Sequence, residues 1–409
     1  MKVTRTQKQV IYLYGSTIIG VLLGVLVSIL NTRSLVPSEY GDVRYINNLI
    51  ALFSGIFLFG YFVSGSRLLA LAKTTQEASR IKGALVTILG CTILLMMLVM
   101  VVCGIVHHYF LHKEFYYLFY IVIPVCGSTL LLNYINTSSQ GDNSISTIAA
   151  ARVLPSLLYL IIGFIIYKIW GASNEKMLLL QNGIAAFVLI FLILKNSPKF
   201  SQLKESFKRL NRENRQYGLQ VYFGSLANVS VQYIAGLTLG LFGTDNTNVG
   251  FYSLALTVTS PLAMLPNVIG TTYFKQFAHQ NIIPKKVLWA TYFMSFVSLI
   301  AFIVLIYPMV DILYDKSYVN VAFYASFLAL GSTLQGLGDV YNRFLGAHGK
   351  GRYLRNGAFI SGAIALLGYT IGVYYGGITG AIVTRILSSS SYFVLMFFYC
   401  RCFCRCVKC

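Results

Sequence analysis

Stretches of about 20 apolar residues follow one another along nearly the whole 409-residue chain, and this recurrence limits the possible folds more than any other feature. A helix rises about 1.5 Å per residue, so ~20 apolar residues cross the hydrocarbon core of a bilayer. We expect twelve spans, at 10–30, 45–64, 83–106, 115–135, 148–168, 177–194, 217–241, 249–270, 287–307, 318–338, 357–375 and 378–399. The runs are continuous rather than alternating, which selects helices over barrel strands of period two. Only 11% of residues are charged, against about 25% in soluble domains. That composition excludes a soluble enzyme, a secreted disulfide scaffold and a disordered protein. The first run is too long for a signal-peptide core and has no small-residue cleavage site after it, so it reads as an uncleaved span.

The formal net charge is +20, from 32 Lys and Arg against 12 Asp and Glu. With the N-terminus cytoplasmic, 25 of the 32 basic residues fall on the inner side. Six fall outside (Arg33, Arg44, Lys113, Lys168, Lys176 and Lys316), and Arg385 lies within a span. This bias places both termini in the cytoplasm, with an even number of spans between them. Anionic lipid headgroups, not nucleic acid, account for the charge. The longest loop, 195–216, is basic and cuts the chain in two. The expected organisation is an N-terminal lobe (1–195), a basic cytoplasmic linker (196–216), a C-terminal lobe (217–400) and a Cys/Arg-rich cytoplasmic tail (401–409). The halves echo each other after spans 1 and 7, where Gly41 and Gly250 each open the next span. Parallel repeats of this kind occur in transporters.

All 12 acidic residues are expected in loops or at span ends, with none at mid-membrane. The acidic residues nearest to spans are Asp42 and Glu39 outside span 2, Asp142 after span 4 and Asp339 at the inner end of span 10; of these Asp42 and Asp339 are the candidates for ion coupling or gating, with solvation in a loop the alternative for each. Asp339 follows the polar run Gln335, Gly336 and Gly338. Among the arginines, Arg385 interrupts apolar sequence, and an unpaired guanidinium there costs at least ~2.5 kcal/mol. It should therefore face protein or water. Arg33, Arg67, Arg152 and Arg343 lie at span ends; together with Arg385 they could line a cationic cavity and grip a phosphate or acidic sugar with forked hydrogen bonds. Snorkelling to the interface is the alternative for each.

Asn47, Asn48, Ser54, Asn133, Asn228, Ser230, Gln232, Asn267 and Gln335 are polar groups inside spans, fit either for a wet path or for holding helices together. Pro124, Pro155, Pro261 and Pro266 should bend their spans. His107, His108 and His112 lack a completing ligand set, and Cys400, Cys402, Cys404, Cys406 and Cys409 have C-x-C rather than zinc-type spacing, so no metal site is expected. There is no phosphate-binding loop of the ATPase type and no nucleophile–base pair, so the chain is not expected to be an enzyme.

The stretch 31–49, NTRSLVPSEYGDVRYINNL, and FVSGSRLLALA after it resemble the opening signature of the polysaccharide-transport family of lipid-linked oligosaccharide flippases, the Wzx type. Arg33, Leu35, Pro37, Glu39, Tyr40, Gly41 and Arg67 carry the likeness, and the length, spans and basic central loop agree with it. The resemblance implies an all-α integral membrane fold like that of multidrug-and-toxin exporters (MATE-like): about 12 transmembrane helices in two six-helix lobes around a central cavity. It implies flipping of an undecaprenyl-diphosphate-linked oligosaccharide repeat unit, such as an O-antigen unit for lipopolysaccharide biosynthesis. The substrate would move from the cytoplasmic to the periplasmic leaflet of a bacterial inner membrane. It also implies an ion gradient as driving force, no cofactor, and a polysaccharide polymerase and chain-length regulator as partners. Two other readings stay open: a drug or metabolite exporter of the same fold, and a membrane-embedded repeat-unit polymerase.

Overall fold

A computed structural model describes residues 5–406, without the side chains of residues 5–14, 224, 227–231, 275, 405 and 406. Asn228 and Ser230, and Cys406 and Cys409 in the tail, thus lie outside the described side chains. Every regular element among the described residues is helical. In chain order they are α1 (Arg5–Ser34), α2 (Pro37–Ile56), α3 (Tyr61–Leu71), α4 (Thr75–Tyr109), α5 (Tyr117–Val122), α6 (Ser128–Gly141), α7 (Ile145–Trp170) and α8 (Asn174–Lys195). There follow α9 (Leu203–Glu213), α10 (Leu219–Phe242), α11 (Thr247–Thr272), α12 (Phe274–Phe277), α13 (Lys285–Leu313), α14 (Asn320–Ala347), α15 (Gly351–Leu367) and α16 (Val373–Cys406).

By length and composition, nine segments among the described residues can cross a membrane, or ten if α2 and α3 form one bent span. The chain is a multi-pass membrane protein. Two differences separate this count from the twelve expected runs. Residues Gly351–Cys404 form one 54-residue helical stretch where two runs were expected. It is interrupted by a π-turn at Gly368–Gly372 and by Gly377, whose φ of 52° and ψ of −133° are non-helical and suit only glycine. In α10 the apolar segment found is Gln232–Phe242.

The chain divides into two compact units, one of residues 1–35 and 46–229, the other of residues 36–45 and 230–409. The boundaries fall inside α2 and α10.

In the first unit α1 lies along α7, α3 packs on α6 and α4, and α8 packs on α7 and α6. The span that begins with α2 breaks by 58° before α3, where Phe59 and Gly60 take φ of 44° and 77°. A broken helix frees carbonyls that lipid cannot satisfy. Here Asn214 Nδ2 donates to the Phe59 carbonyl at 3.0 Å and the Tyr222 hydroxyl donates to the Ile56 carbonyl at 2.6 Å. Pro124 falls in a 3-10 turn, Ile123–Val125, between α5 and α6. The basic stretch 195–216, expected as a loop, contains the amphipathic helix α9. It is tied down by Arg209–Glu77 (2.7 Å), Arg67–Glu213 (2.6 Å), a hydrogen bond from Tyr61 to Asn211 (2.7 Å) and one from Arg80 to Gln202.

In the second unit α14 packs along α11 and α16, with α13 and α15 outside them. α14 has the lowest mean hydropathy of the candidate spans and the highest buried share, 61%. α13 is among the most apolar, yet only 11% of its apolar stretch is buried. This is the membrane pattern: lipid-facing surface must be apolar, whereas small and polar residues can sit between helices. Gly41 and Gly250, matched by the repeat, meet in this unit. A Cβ on Gly41 would lie 1.8 Å from the Asn246 carbonyl oxygen, and one on Gly250 would lie 2.6 Å from that of Pro37. α16 continues through the expected tail to Cys406, and Cys400 and Phe403 join a core with Phe277, Phe344, Tyr392 and Met396.

Candidate functional site

The second unit gathers three of the singled-out residues, Asp339, Arg343 and Arg385, at the junction of α11, α14 and α16. The small and polar face of α14, Gly331 to Asp339, makes this possible. A side chain at Gly331 would touch Arg385 Cγ at 3.3 Å, and one at Gly338 would strike the Tyr392 ring at 2.6 Å. Glycine at both positions lets two large polar residues of α16 lie against α14. Arg385 and Tyr392 are seven residues apart, two turns on one face of α16, and Asp339 and Arg343 are one turn apart on α14.

The Tyr392 hydroxyl donates to Asp339 Oδ1 at 2.9 Å, and Asn267 Nδ2 of α11 approaches Oδ2 at 3.5 Å. Arg343 Nη2 in turn approaches Asn267 Oδ1 at 3.5 Å. The charges of both Arg343 and Arg385 are felt at the Asp339 carboxylate, yet neither forms an ion pair with it. The Nε of Arg385 is buried without a hydrogen-bond partner among the described residues. Arg385 also lies within electrostatic reach of Tyr252, whose hydroxyl meets that of Tyr369 at 3.3 Å. A carboxylate held by neutral donors, with two guanidinium groups around it and neither locked in a pair, can accept a small cation or proton and present positive charge to an anion.

Asp339 lies deeper in its helix than the sequence implies. The expected span ends at Gly338, but α14 runs to Ala347 and places Asp339 about 12 Å from its end. Because a 28-residue helix is longer than the ~20 residues that cross a bilayer, this is compatible with the expected place of Asp339 at the inner end of its span. The low hydropathy of the glycine-rich seam ended the apolar run, while interhelical packing carried the helix on.

The other singled-out residues have partners elsewhere. Arg67 pairs with Glu213 and stacks over the Tyr217 ring at 5.1 Å. Arg152 Nη1 donates to Thr17 Oγ1 at 2.7 Å. Arg33 lines a groove between α1 and α7. Asp42 Oδ1 accepts from Asn246 Nδ2 at 2.8 Å, tying the start of α2 to the residue that caps α11. Of the histidines, His107 sits against the ring of Phe119 and His108 against that of Tyr116. No group of three His, Cys, Asp or Glu converges among the described residues.

Sequence reasoning missed two polar contacts. Tyr392 is one; its seven-residue spacing from Arg385 was the available signal. The other is Lys82, which precedes the expected span 83–106 and so reads as a loop residue. It is buried within α4, 2.7 Å from Asp142 Oδ2.

The chain matches the family described as polysaccharide biosynthesis protein over residues 6–274. Among solved structures it is similar to the lipid II flippase MurJ in an inward closed conformation, at 14% identity over 95% of this chain and 87% of that one, with a TM-score of 0.72. It is also similar to an inward-facing multidrug resistance MATE family transporter of the MOP superfamily (15% identity, 95% of each chain, TM-score 0.66). A third similar structure is the eukaryotic MATE transporter AtDTX14 (13% identity, 97% of this chain and 95% of that one, TM-score 0.58). At these identities the likeness is one of fold. No curated protein matches the chain. An all-α membrane fold shared with MurJ and MATE transporters, joined to a sequence match over two thirds of its length, places this chain in the polysaccharide biosynthesis protein family.

Proposed function

We propose that this protein flips undecaprenyl-diphosphate-linked oligosaccharide repeat units, of the O-antigen kind, across a bacterial inner membrane by alternating access. The match to the polysaccharide biosynthesis family carries this reading. The excess of basic residues in the segments assigned to the cytoplasm supports it, because it orients both termini inward and favours an anionic substrate collected from that side. Arg385 and Arg343 receive the diphosphate or an acidic sugar, since an anion gains most from cations that no carboxylate has already neutralised. Asp339 takes up the coupling cation or proton, and Asp42 gates through Asn246. Arg152, whose partner is a threonine and not a carboxylate, serves the inner face, and Arg67, closed on Glu213, holds α9 there. A polymerase and chain-length regulator act on the product. The likeness to MATE transporters supports a second reading, an exporter of a soluble compound with the same fold.

Deletion in the native host separates these readings. The flippase reading expects loss of surface polymer with lipid-linked units retained on the cytoplasmic side. Surface display of single, unpolymerised units would indicate a polymerase, and unchanged surface polysaccharide would favour the exporter.

A further inference from the structure

The first unit carries a groove of about 510 Å³ between α1 and α7. Its walls are apolar: Leu26, Ile29, Leu30, Leu160 and Phe164. Leu26 and Phe164 are exposed by 49% and 58%, so the trough opens outward along the helix pair. One end is cationic, formed by Arg33 and Lys168 beside Ser34. Both cations are exposed, and Lys168 makes no hydrogen bond or ion pair among the described residues. The floor at this end is polar: Tyr167 meets the Tyr159 hydroxyl at 2.8 Å, and Tyr159 donates to Asn31 at 2.6 Å.

The position of the cations along the helices gives the ligand away. α1 and α7 run parallel, with Arg152 beside Thr17 at one level and Leu30 against Gly163 further along. From Thr17 to Arg33, and from Arg152 to Lys168, the distance is 16 residues, or about 24 Å of helix. The hydrocarbon core is about 30 Å thick, and long basic side chains extend from their helix toward the headgroups. Arg33 and Lys168 thus sit at one headgroup level and Arg152 at the other, with the trough running down from the first into the hydrocarbon layer. An apolar channel under a pair of cations complements a molecule with a long hydrocarbon chain and a phosphate at its end.

We propose that this groove is a binding site for an anionic glycerophospholipid, one acyl chain lying in the trough and the phosphate held by Arg33 and Lys168. The site lies wholly within the first unit and shares no residue with the α14 cluster.

The test uses the full-length protein in detergent, with phosphatidylglycerol and phosphatidylcholine added as probes and retained lipid counted by native mass spectrometry. Wild-type protein should retain phosphatidylglycerol over phosphatidylcholine. The double variant Arg33→Gln/Lys168→Gln should lose roughly 25-fold in phosphatidylglycerol retention, each basic residue near a headgroup adding about fivefold. Leu160→Trp, which fills the trough and keeps the charges, should reduce retention as well. Lys195→Gln/Lys204→Gln, equal in charge removed and in the same unit but outside the groove lining, should leave it unchanged. Equal retention by the wild type and the Arg33/Lys168 variant would overturn the proposal. So would equal retention of the two lipids, or displacement of phosphatidylglycerol by an equimolar polyprenyl diphosphate, which would make the groove a seat for the substrate's lipid instead.

Discussion

The two units treat charge in opposite ways. In the first, carboxylates meet cations directly: Asp142 with Lys82, Glu213 with Arg67 and Glu77 with Arg209. These pairs hold elements in place; two of them fasten α9, and the third joins α4 to the end of α6. In the second unit Asp339 is bound by a phenol and approached by an amide, while Arg343 and Arg385 stand near it without closing a pair. A closed ion pair is spent on structure, because breaking it leaves a charge uncompensated. A carboxylate held by neutral donors leaves both its own charge and the neighbouring cations available. On the function proposed above, the first unit's three ion pairs serve as support, whereas the α14 cluster handles substrate or ion.

The largest effect on stability should come from Lys82→Met, which strands Asp142 beside the buried end of α4. We expect a loss of about 2–3 kcal/mol in thermal or denaturant unfolding, somewhat less than for a fully buried pair. The double variant Lys82→Met/Asp142→Leu should recover most of it. If the single variant is as stable as wild type, the first unit's charges are not structural.

Gly338→Ala tests the other side of the comparison. The added methyl meets the Tyr392 ring at 2.6 Å, and moving that ring should cost about 1–3 kcal/mol. It should also reduce surface polymer more than the stability loss explains, because it separates Tyr392 from Asp339. Tyr392→Phe removes only the hydroxyl. Its cost should be about 1 kcal/mol, with transport impaired in membranes holding equal amounts of protein. The smallest change is expected from Arg209→Gln. The arginine is 49% exposed, and an exposed pair is worth about 0–1 kcal/mol, so stability and polysaccharide should both stay near wild type.

These differences also mark what a sequence can and cannot reveal here. Arg385 was legible because a charge within an apolar run needs a reason, and Asp339 because it ends a run of polar and glycine residues. Their meeting was not legible, since it depends on how α14 and α16 pack across 45 residues of intervening chain. Tyr392 carries no charge to stand out among the aromatic residues around it. Lys82 follows Arg80 closely and resembles a solvated loop; only the start of α4 at Thr75 buries it. The spans followed from apolar length, but their ends did not, because apolar length measures the lipid-facing surface and not the helix. α9 escaped for the same reason: it is amphipathic and mostly polar, and its fixed position comes from ion pairs with α3 and α4.

Polysaccharide export by Arg385→Gln in the deletion host, at a membrane level matched to wild type, tests the assignment of the α14 cluster most directly. The account predicts that surface polymer falls about tenfold or more and that lipid-linked units accumulate, as expected when a desolvated anion loses its cation. Wild-type polymer at equal protein level would contradict it and move the anion site away from α11, α14 and α16.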